Sequence, residues 1–167
     1  MPILEKLQPQ AVFAQFEQLC AIPHGSGNTK AISDYLVRFA AARGLRHIQD
    51  AHNNVVIFCP GTPGYEAAAP VILQGHMDMV CETAPDCAKD MTSEGLDLFV
   101  DGDTIGARGT TLGGDDGIAV AMALAILDAD DIPHPPLEVV LTVDEETGML
   151  GADALDASVL QGRTMLN

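Results

Sequence analysis

The stretch from Gly113 to Leu127 constrains the fold more than any other part of the chain. Residues 118–127 are all apolar, and they follow the string Gly113-Gly114-Asp115-Asp116-Gly117. A helix that is apolar on every side is typical of a protein interior. This run is too short to cross a bilayer, which needs about 20 apolar residues. The sequence therefore predicts a buried helix from about Asp116 to Asp128, with two carboxylates at its N-terminal end.

These two carboxylates leave two interpretations open. Burying a bare carboxylate costs free energy unless a cation or hydrogen-bond donors meet it. The dipole and the free N–H groups of the first helical turn supply part of that compensation, and a bound metal would supply the rest. On this stretch alone, Asp115 could equally be an ordinary N-cap and Asp116 an ordinary acid of the first turn.

The composition limits the classes of partner. The 167 residues include 24 acids against 8 Lys and Arg, a formal net charge of −16, and 47% of them are hydrophobic. We expect no nucleic-acid partner, because binding a phosphate backbone needs Lys and Arg. The acidic excess favours cations, although most of it also fits a surface that maintains solubility. The start of the chain lacks the features of a signal peptide and no stretch qualifies as a membrane helix. We therefore expect a cytoplasmic protein with no membrane contact and with reduced thiols at Cys20, Cys59, Cys81 and Cys87.

Alternating helical and strand patterns predict the fold class. Apolar stripes indicate a first helix after Pro9 that ends before Pro23, and a second helix that Gly44 closes. Strands are predicted at 45–48, 55–58, 71–75 and 137–143, with a small hairpin around 99–105, a helical turn at 152–155 and a further strand from 164. We therefore expect an α/β domain with a mostly parallel sheet and helices on both faces.

Three groups of acidic or imidazole side chains lie at the ends of these elements. His76-Met77-Asp78 and Asp144-Glu145-Glu146 each follow a strand, and Asp115 opens the buried helix. Ligands of open α/β sheets bind beyond the carboxyl ends of the strands, so these groups are expected to meet on one rim. A His, an Asp and a Glu are ligands that zinc accepts. Each group alone is also typical of a helix cap, a structural His or solvated loop acids.

Three strings in the chain resemble the co-catalytic zinc peptidase family that includes aminoacylases and carnosinases. They are Leu73-Gln74-Gly75-His76-Met77-Asp78, Thr111-Leu112-Gly113-Gly114-Asp115-Asp116-Gly117 and Asp144-Glu145-Glu146-Thr147-Gly148. The order of the strings and the intervals between them also match, which makes the resemblance highly specific. The resemblance covers essentially the whole chain. The loop Ile22-Pro23 with Ser26-Gly27-Asn28 resembles the dipeptidase subgroup of the family.

The resemblance implies a role for each of these side chains. Asp115 would bridge two divalent metal ions and be joined to Asp116 by a cis peptide bond. His76 would bind one metal and Glu146 the other, with zinc expected and cobalt or manganese as alternatives. Asp78 would orient His76, and Glu145 would be the general base. The implied reaction is hydrolysis of the peptide bond of dipeptides, including Xaa-His, by a metal-activated water.

This sequence departs from the family pattern in the number of ligands. The resemblance implies five protein ligands, and an Asp expected just beyond Asn167 and a His far downstream have no counterpart here. The family's lid domain, used for dimerisation and for a His that contacts substrate, has none either. We therefore expect residues 1–167 to be the N-terminal part of the catalytic domain of a longer, homodimeric enzyme. We expect this chain alone to hydrolyse dipeptides poorly or not at all.

Two alternative functions stay open at this point. One is an N-acyl-amino-acid deacylase with the same metal site, and the other is a metal-binding protein without catalysis. The string Gly113-Gly114 does not follow G-x-G-x-x-G, so no dinucleotide cofactor is expected. The other histidines are expected to be structural or on the surface; they are His24, His47, His52 and His134.

Overall fold

The secondary structure follows the predicted order of elements. The computed structural model describes residues 2–167. Its helices are α1 (Gln10–Cys20), α2 (Lys30–Ala42), α3 (Gly114–Leu127) and the short α4 (Leu150–Ala154), followed by a 3₁₀ turn at Ala157–Val159. Its strands are β1 (Arg46–Gln49), β2 (Val55–Cys59), β3 (Val71–His76), β4 (Leu98–Asp101), β5 (Thr104–Ala107), β6 (Leu137–Thr142) and β7 (Thr164–Leu166).

The main sheet is mixed, with the strand order β1-β2-β6-β3-β7, and β4 and β5 form a separate hairpin. Strand β3 pairs parallel with β6 and with β7, whereas β2 runs antiparallel to both β1 and β6. The α/β class is confirmed, and its parallel part is confined to β3, β6 and β7. Within that part His76 pairs in register with Thr142, so β3 and β6 end at the same edge of the sheet.

The two faces of the sheet carry unequal cores. Val55 and Ile57 of β2 point to the larger core, to which α1, α2 and α3 all contribute buried side chains. The intervening residue Val56 points to the opposite face, where a smaller cluster packs against Leu155 and Leu160. All three long helices therefore lie on one face. The other face is covered by the segment around α4 and the 3₁₀ turn.

Helix α3 is buried on most sides but not on all. Val120 and Leu124 are fully buried, whereas Met122 is 52% exposed. The prediction of a helix buried on every side is wrong at Met122, because this residue lies along an open groove beside Leu166 and Asn167 at the sheet edge. Within the described residues, no helix is both long enough and apolar enough to cross a membrane.

The four cysteines are free thiols. Cys20 lies in the larger core at the end of α1. Its burial, with the nearby charge of Glu17, raises the pKa of the thiol to about 12. Cys20 is therefore a packing residue with little thiolate at neutral pH.

Candidate metal centre

His76 ends β3 with its side chain turned inward, and it is only 7% exposed. Its Nδ1 lies 3.0 Å from the backbone carbonyl oxygen of Asp78 and 3.4 Å from the Asp78 carboxylate. With the Nδ1–H donated to Asp78, the Nε2 atom faces outward, 3.1 Å from Oδ1 of Asp115 and 3.9 Å from Oε2 of Glu145. Asp78 therefore sets the orientation of the ring and aims Nε2 at the acids.

His76, Asp115 and Glu146 offer one ligand atom each, and these atoms all lie within 4.8 Å of one another. The three come from the end of β3, the start of α3 and the loop after β6. The His76 side chain is buried, while that of Asp115 is 87% exposed to the space above the sheet edge. An imidazole nitrogen with two carboxylate oxygens is a donor set that suits zinc, so these residues fit a divalent cation.

Asp78 is the buried anion behind the imidazole. Its burial opposes ionisation, but hydrogen bonds from His76, from Oγ of Ser26 at 2.7 Å and from the backbone N–H of Glu145 at 3.1 Å hold its pKa below the usual value. A carboxylate that accepts several hydrogen bonds is stabilised in its charged form. Asp78 therefore remains an anion under the site at neutral pH.

The imidazole responds to these anions. Burial lowers the pKa of His76, but hydrogen bonds to Asp78 and Asp115 outweigh burial and raise the pKa to about 9. The metal-free chain thus keeps a proton on His76 that balances the negative charge around it. A cation at Nε2 would take the place of that proton.

Asp116 lies next to the proposed ligand Asp115 and contacts the end of β3. Its carboxylate lies against the backbone at the end of β3, beside Gly75. The peptide bond between Asp115 and Asp116 is cis, as the resemblance implied, and neither residue has helical backbone angles. Gly75 leaves room for this contact, because a Cβ atom there would lie 2.7 Å from Oδ2 of Asp116. Asp116 therefore joins the end of β3 to the start of α3.

The loop after α1 contributes two contacts that the sequence analysis missed. Besides the Ser26 hydroxyl on Asp78, the backbone N–H of Gly27 donates to Oδ1 of Asp144 at 2.6 Å. The string Ser26-Gly27-Asn28 carries a resemblance, and its loop was expected to cap the second helix, but no contact with the site was expected of it. No local pattern could have identified these contacts, because the partners are 52 and 117 positions apart.

A cavity of about 350 Å³ opens beside the donor atoms. This volume is in the range of small-molecule sites. Glu145 faces the cavity and is 41% exposed. No Lys or Arg is among the described residues that line it, which are Gln74, His76, Asp115, Asp116, Thr142, Glu145, Met149, Ala152 and Asn167. The cavity therefore favours a ligand that brings positive charge or arrives together with cations.

The other four histidines lie outside the group formed by His76, Asp115 and Glu146. His24 and His134 are buried, and His47 belongs to β1. Nδ1 of His134 lies 2.7 Å from the carbonyl oxygen of Pro135. These contacts fit the structural roles expected from the sequence.

The chain is similar to known proteins. Residues 72–165 match the peptidase family M20/M25/M40. The chain is 40% identical over 167 residues to the cytosol non-specific dipeptidase of Escherichia coli K12. The matched region covers 100% of this chain and 34% of that protein.

Solved structures agree with this match. The crystal structure of the aminoacylhistidine dipeptidase from Vibrio alginolyticus superposes with a TM-score of 0.95 and 41% identity over 98% of this chain and 34% of that chain. A tripeptidase from Staphylococcus aureus superposes with a TM-score of 0.77 and 27% identity, over 95% of this chain and 43% of that chain. The present chain thus spans about a third of the length of the two dipeptidases.

Proposed function

Because the chain belongs to the peptidase family M20/M25/M40, we propose that it carries part of the active site of a metal-dependent dipeptidase. The observation that carries the proposal is the meeting of His76, Asp115 and Glu146 within 4.8 Å, beside the carboxylate of Glu145. The names of two relatives, a cytosol non-specific dipeptidase and an aminoacylhistidine dipeptidase, support dipeptides as substrates, Xaa-His among them. The name of the first relative also supports a cytoplasmic location.

The ligand set follows from the donor atoms and the resemblance. His76 would hold one divalent cation, Glu146 would hold a second, and Asp115 would contact both. Zinc suits these nitrogen and oxygen donors, and cobalt or manganese are alternatives. When bound, such cations supply Lewis acidity, which makes a water molecule easier to deprotonate and a carbonyl carbon more electrophilic.

Glu145 is the proposed general base. Its carboxylate faces the cavity, and its backbone N–H is held by Asp78 at 3.1 Å. Glu145 takes one proton from the attacking water as the new carbon–oxygen bond forms at the peptide carbonyl. It then delivers that proton to the nitrogen of the leaving amine as the carbon–nitrogen bond breaks. Asp78 acts through His76, whose ring it orients.

We further propose that this chain alone is a poor catalyst. Three protein ligands shared between two cations leave each cation with only two protein contacts, as the resemblance allots them. The chain also spans only 34% of the length of the dipeptidases it resembles. Homodimerisation through a lid domain is accordingly proposed only for a longer protein that contains this chain.

Cobalt binding tests the ligand set. The absorption of Co²⁺ is followed as the 167-residue chain is titrated, and affinity is compared among single variants. His76→Ala and Glu146→Gln are expected to weaken binding by about tenfold or more, whereas Glu145→Gln is expected to retain it. Unchanged affinity in His76→Ala would overturn the proposed centre.

Hydrolysis assays test the reaction. The chain is incubated at high concentration with zinc or cobalt and either alanyl-histidine or N-acetyl-histidine, with the E. coli dipeptidase as the positive control. We expect at most residual turnover, and we expect it on the dipeptide. Residual turnover confined to N-acetyl-histidine would favour a deacylase, and turnover comparable to the control would contradict the proposal that the chain alone is a poor catalyst.

A further inference from the structure

We propose that Asn54 is a positioning residue for the loop that carries Glu145 and Glu146, an inference that rests on the function proposed for these two acids. The acidic loop, defined as residues 144–150, follows β6 and ends at the first residue of α4. The carboxylates of Glu145 and Glu146 are at least partly exposed, so their positions depend on how the backbone of the loop is held.

The side chain of Asn54 bridges the two ends of the acidic loop. Asn54 lies immediately before β2 and is 1% exposed. Its Oδ1 accepts a hydrogen bond from the backbone N–H of Val143 at 3.1 Å, and its Nδ2 donates to the carbonyl oxygen of Gly151 at 2.9 Å. Val143 directly precedes the loop and Gly151 directly follows it. One carboxamide therefore connects the start of the loop to its end.

The two ends of the acidic loop also bond directly to each other and pack closely at Gly151. The backbone N–H of Gly151 donates to the carbonyl oxygen of Val143 at 3.0 Å, so the two ends also bond each other. A Cβ atom at Gly151 would lie 2.3 Å from that carbonyl oxygen and 2.6 Å from Oδ1 of Asn54. Only glycine permits the close approach in which Asn54 contacts both ends.

Asp50 fixes the direction of the carboxamide. Its Oδ2 accepts the second N–H of the Asn54 side chain at 2.7 Å, and its Oδ1 accepts the backbone N–H of Asn54 at 2.9 Å. The Nδ2 group thus donates to two acceptors and Oδ1 receives one donor. An Asp side chain has the shape of Asn but lacks the two donors, so it cannot make both contacts to the loop.

The interior of the loop transmits this restraint to the acids. The backbone N–H groups of Gly148 and Met149 both donate to the carbonyl oxygen of Glu145 at 3.0 Å, and that of Leu150 donates to the carbonyl oxygen of Asp144 at 3.2 Å. The loop is therefore a closed turn, and movement at its ends displaces Glu145 and Glu146. Groups that hydrogen-bond directly to metal ligands typically contribute about 10–100-fold to metal affinity, and Asn54 acts one step further out, through the backbone of the loop.

The test compares Asn54→Asp with Ser33→Ala in the 167-residue chain. Ser33 is a matched control, because it is fully buried and its Oγ donates to the carbonyl oxygen of Asn53 at 2.7 Å without contacting the acidic loop. Three quantities are measured: the urea unfolding midpoint, the Co²⁺ dissociation constant, and amide hydrogen exchange by NMR.

We expect both variants to lower the unfolding midpoint. Only Asn54→Asp should raise the Co²⁺ dissociation constant, by about tenfold, and accelerate exchange at the amides of Gly148, Met149 and Gly151 more than in the rest of the chain. If Asn54→Asp fails to fold, Asp50→Ala releases the carboxamide less severely and should give the same pattern with smaller changes.

Two failures have different meanings. If the Asn54 and Asp50 variants lose stability but match Ser33→Ala in cobalt affinity and loop exchange, Asn54 has only a structural role and the inference is overturned. If the unmodified chain binds no cobalt, the proposed metal centre is overturned instead. Hydrogen exchange then still decides whether Asn54 holds the acidic loop.

Discussion

The backbone N–H of Glu145 donates a hydrogen bond to the carboxylate of Asp78 over 3.1 Å. The same carboxylate lies 3.4 Å from Nδ1 of His76, which ends a different strand. One buried anion thus orients the imidazole and also holds the backbone of the proposed base. The metal-binding and proton-transfer parts of the site are therefore expected to respond together when Asp78 is changed.

Replacing the charge of Asp78 is expected to weaken metal binding. Asp78→Asn keeps the size of the side chain but removes the anion that holds Nδ1–H of His76. We expect the affinity for Co²⁺ to fall by about 10–100-fold, measured by absorption titration at one pH. Asp101→Asn, at the exposed turn of the β4–β5 hairpin, removes the same unit of charge away from the site. Equal losses in the two variants would mean that only overall charge matters.

The hydroxyl of Ser26 is expected to stabilise the fold through Asp78. Ser26→Ala leaves Oδ2 of a buried carboxylate without its 2.7 Å hydrogen bond, and an unsatisfied buried acceptor costs about 1–3 kcal/mol. Ser93→Ala is the matched control, because Ser93 donates to Asp90 at the same 2.7 Å distance on the exposed surface. Urea unfolding should show a loss of stability for Ser26→Ala and little change for Ser93→Ala. A comparable change in both would show that burial of Asp78 is unimportant.

Gly75 is expected to tolerate no side chain. In Gly75→Ala the new methyl group would lie 2.7 Å from Oδ2 of Asp116, inside a buried part of the site. Overpacking of this kind typically costs about 1–3 kcal/mol, and it should also displace Asp115 and lower cobalt affinity. Gly114→Ala adds the same methyl group beside Asp115, but its nearest contact, Leu112, lies at 3.9 Å. Unfolding and cobalt titrations of the two variants should therefore differ, and equal behaviour would contradict the steric argument.

Buried His24 is expected to make the metal-free chain less stable at mildly acidic pH. Burial lowers the pKa of His24 below 6.5, although its hydrogen bond to Ile22 and the charge of Asp78 oppose that change. As pH falls below 6.5, the unfolded chain takes up a proton that the folded chain refuses. The free energy of unfolding then falls with decreasing pH, by at most about 1.4 kcal/mol per pH unit. His76 contributes a slope of opposite sign near the upper end of this range, because its raised pKa of about 9 keeps it protonated in the folded chain while the unfolded chain loses that proton as pH rises through 6.5.

Urea unfolding between pH 5 and pH 7 measures this effect. His24→Gln should remove the part of the slope that arises from His24. His52→Gln, the same substitution at an exposed position, serves as the control. A slope that survives in His24→Gln would assign the acid sensitivity to other groups.

Much of the fold could be predicted from the sequence, because its signals are local. The apolar run before Asp128 predicts α3, and the uniform apolar strand pattern predicts β6, each within a few residues. A single glycine likewise marks the end of α2. The convergence of His76, Asp115 and Glu146 also followed from local information, since each lies at an element end that an α/β sheet brings to one edge. Their roles as metal ligands remain a proposal.

Other features depend on contacts that no local pattern encodes. Strand β2 runs antiparallel to both of its neighbours, β1 and β6, and its pairing with β6 joins Val55 to Leu141 across more than 80 positions of sequence. Met122 belongs to an apolar run, but it is exposed because its side of α3 lies along an open groove beside Leu166 and Asn167. Asn54 lies in a polar turn whose sequence does not indicate that its carboxamide bonds to both Val143 and Gly151.

The sequence by itself thus determined the elements, their class and the side chains with metal-binding chemistry, since hydrophobic periodicity and side-chain chemistry are properties of short segments. Only the tertiary structure decided strand direction, the exposed face of α3 and the hydrogen bonds that Asp78, Ser26 and Asn54 make around the acids. Those bonds join residues that are tens of positions apart, and their geometry exists only once the sheet and helices have packed.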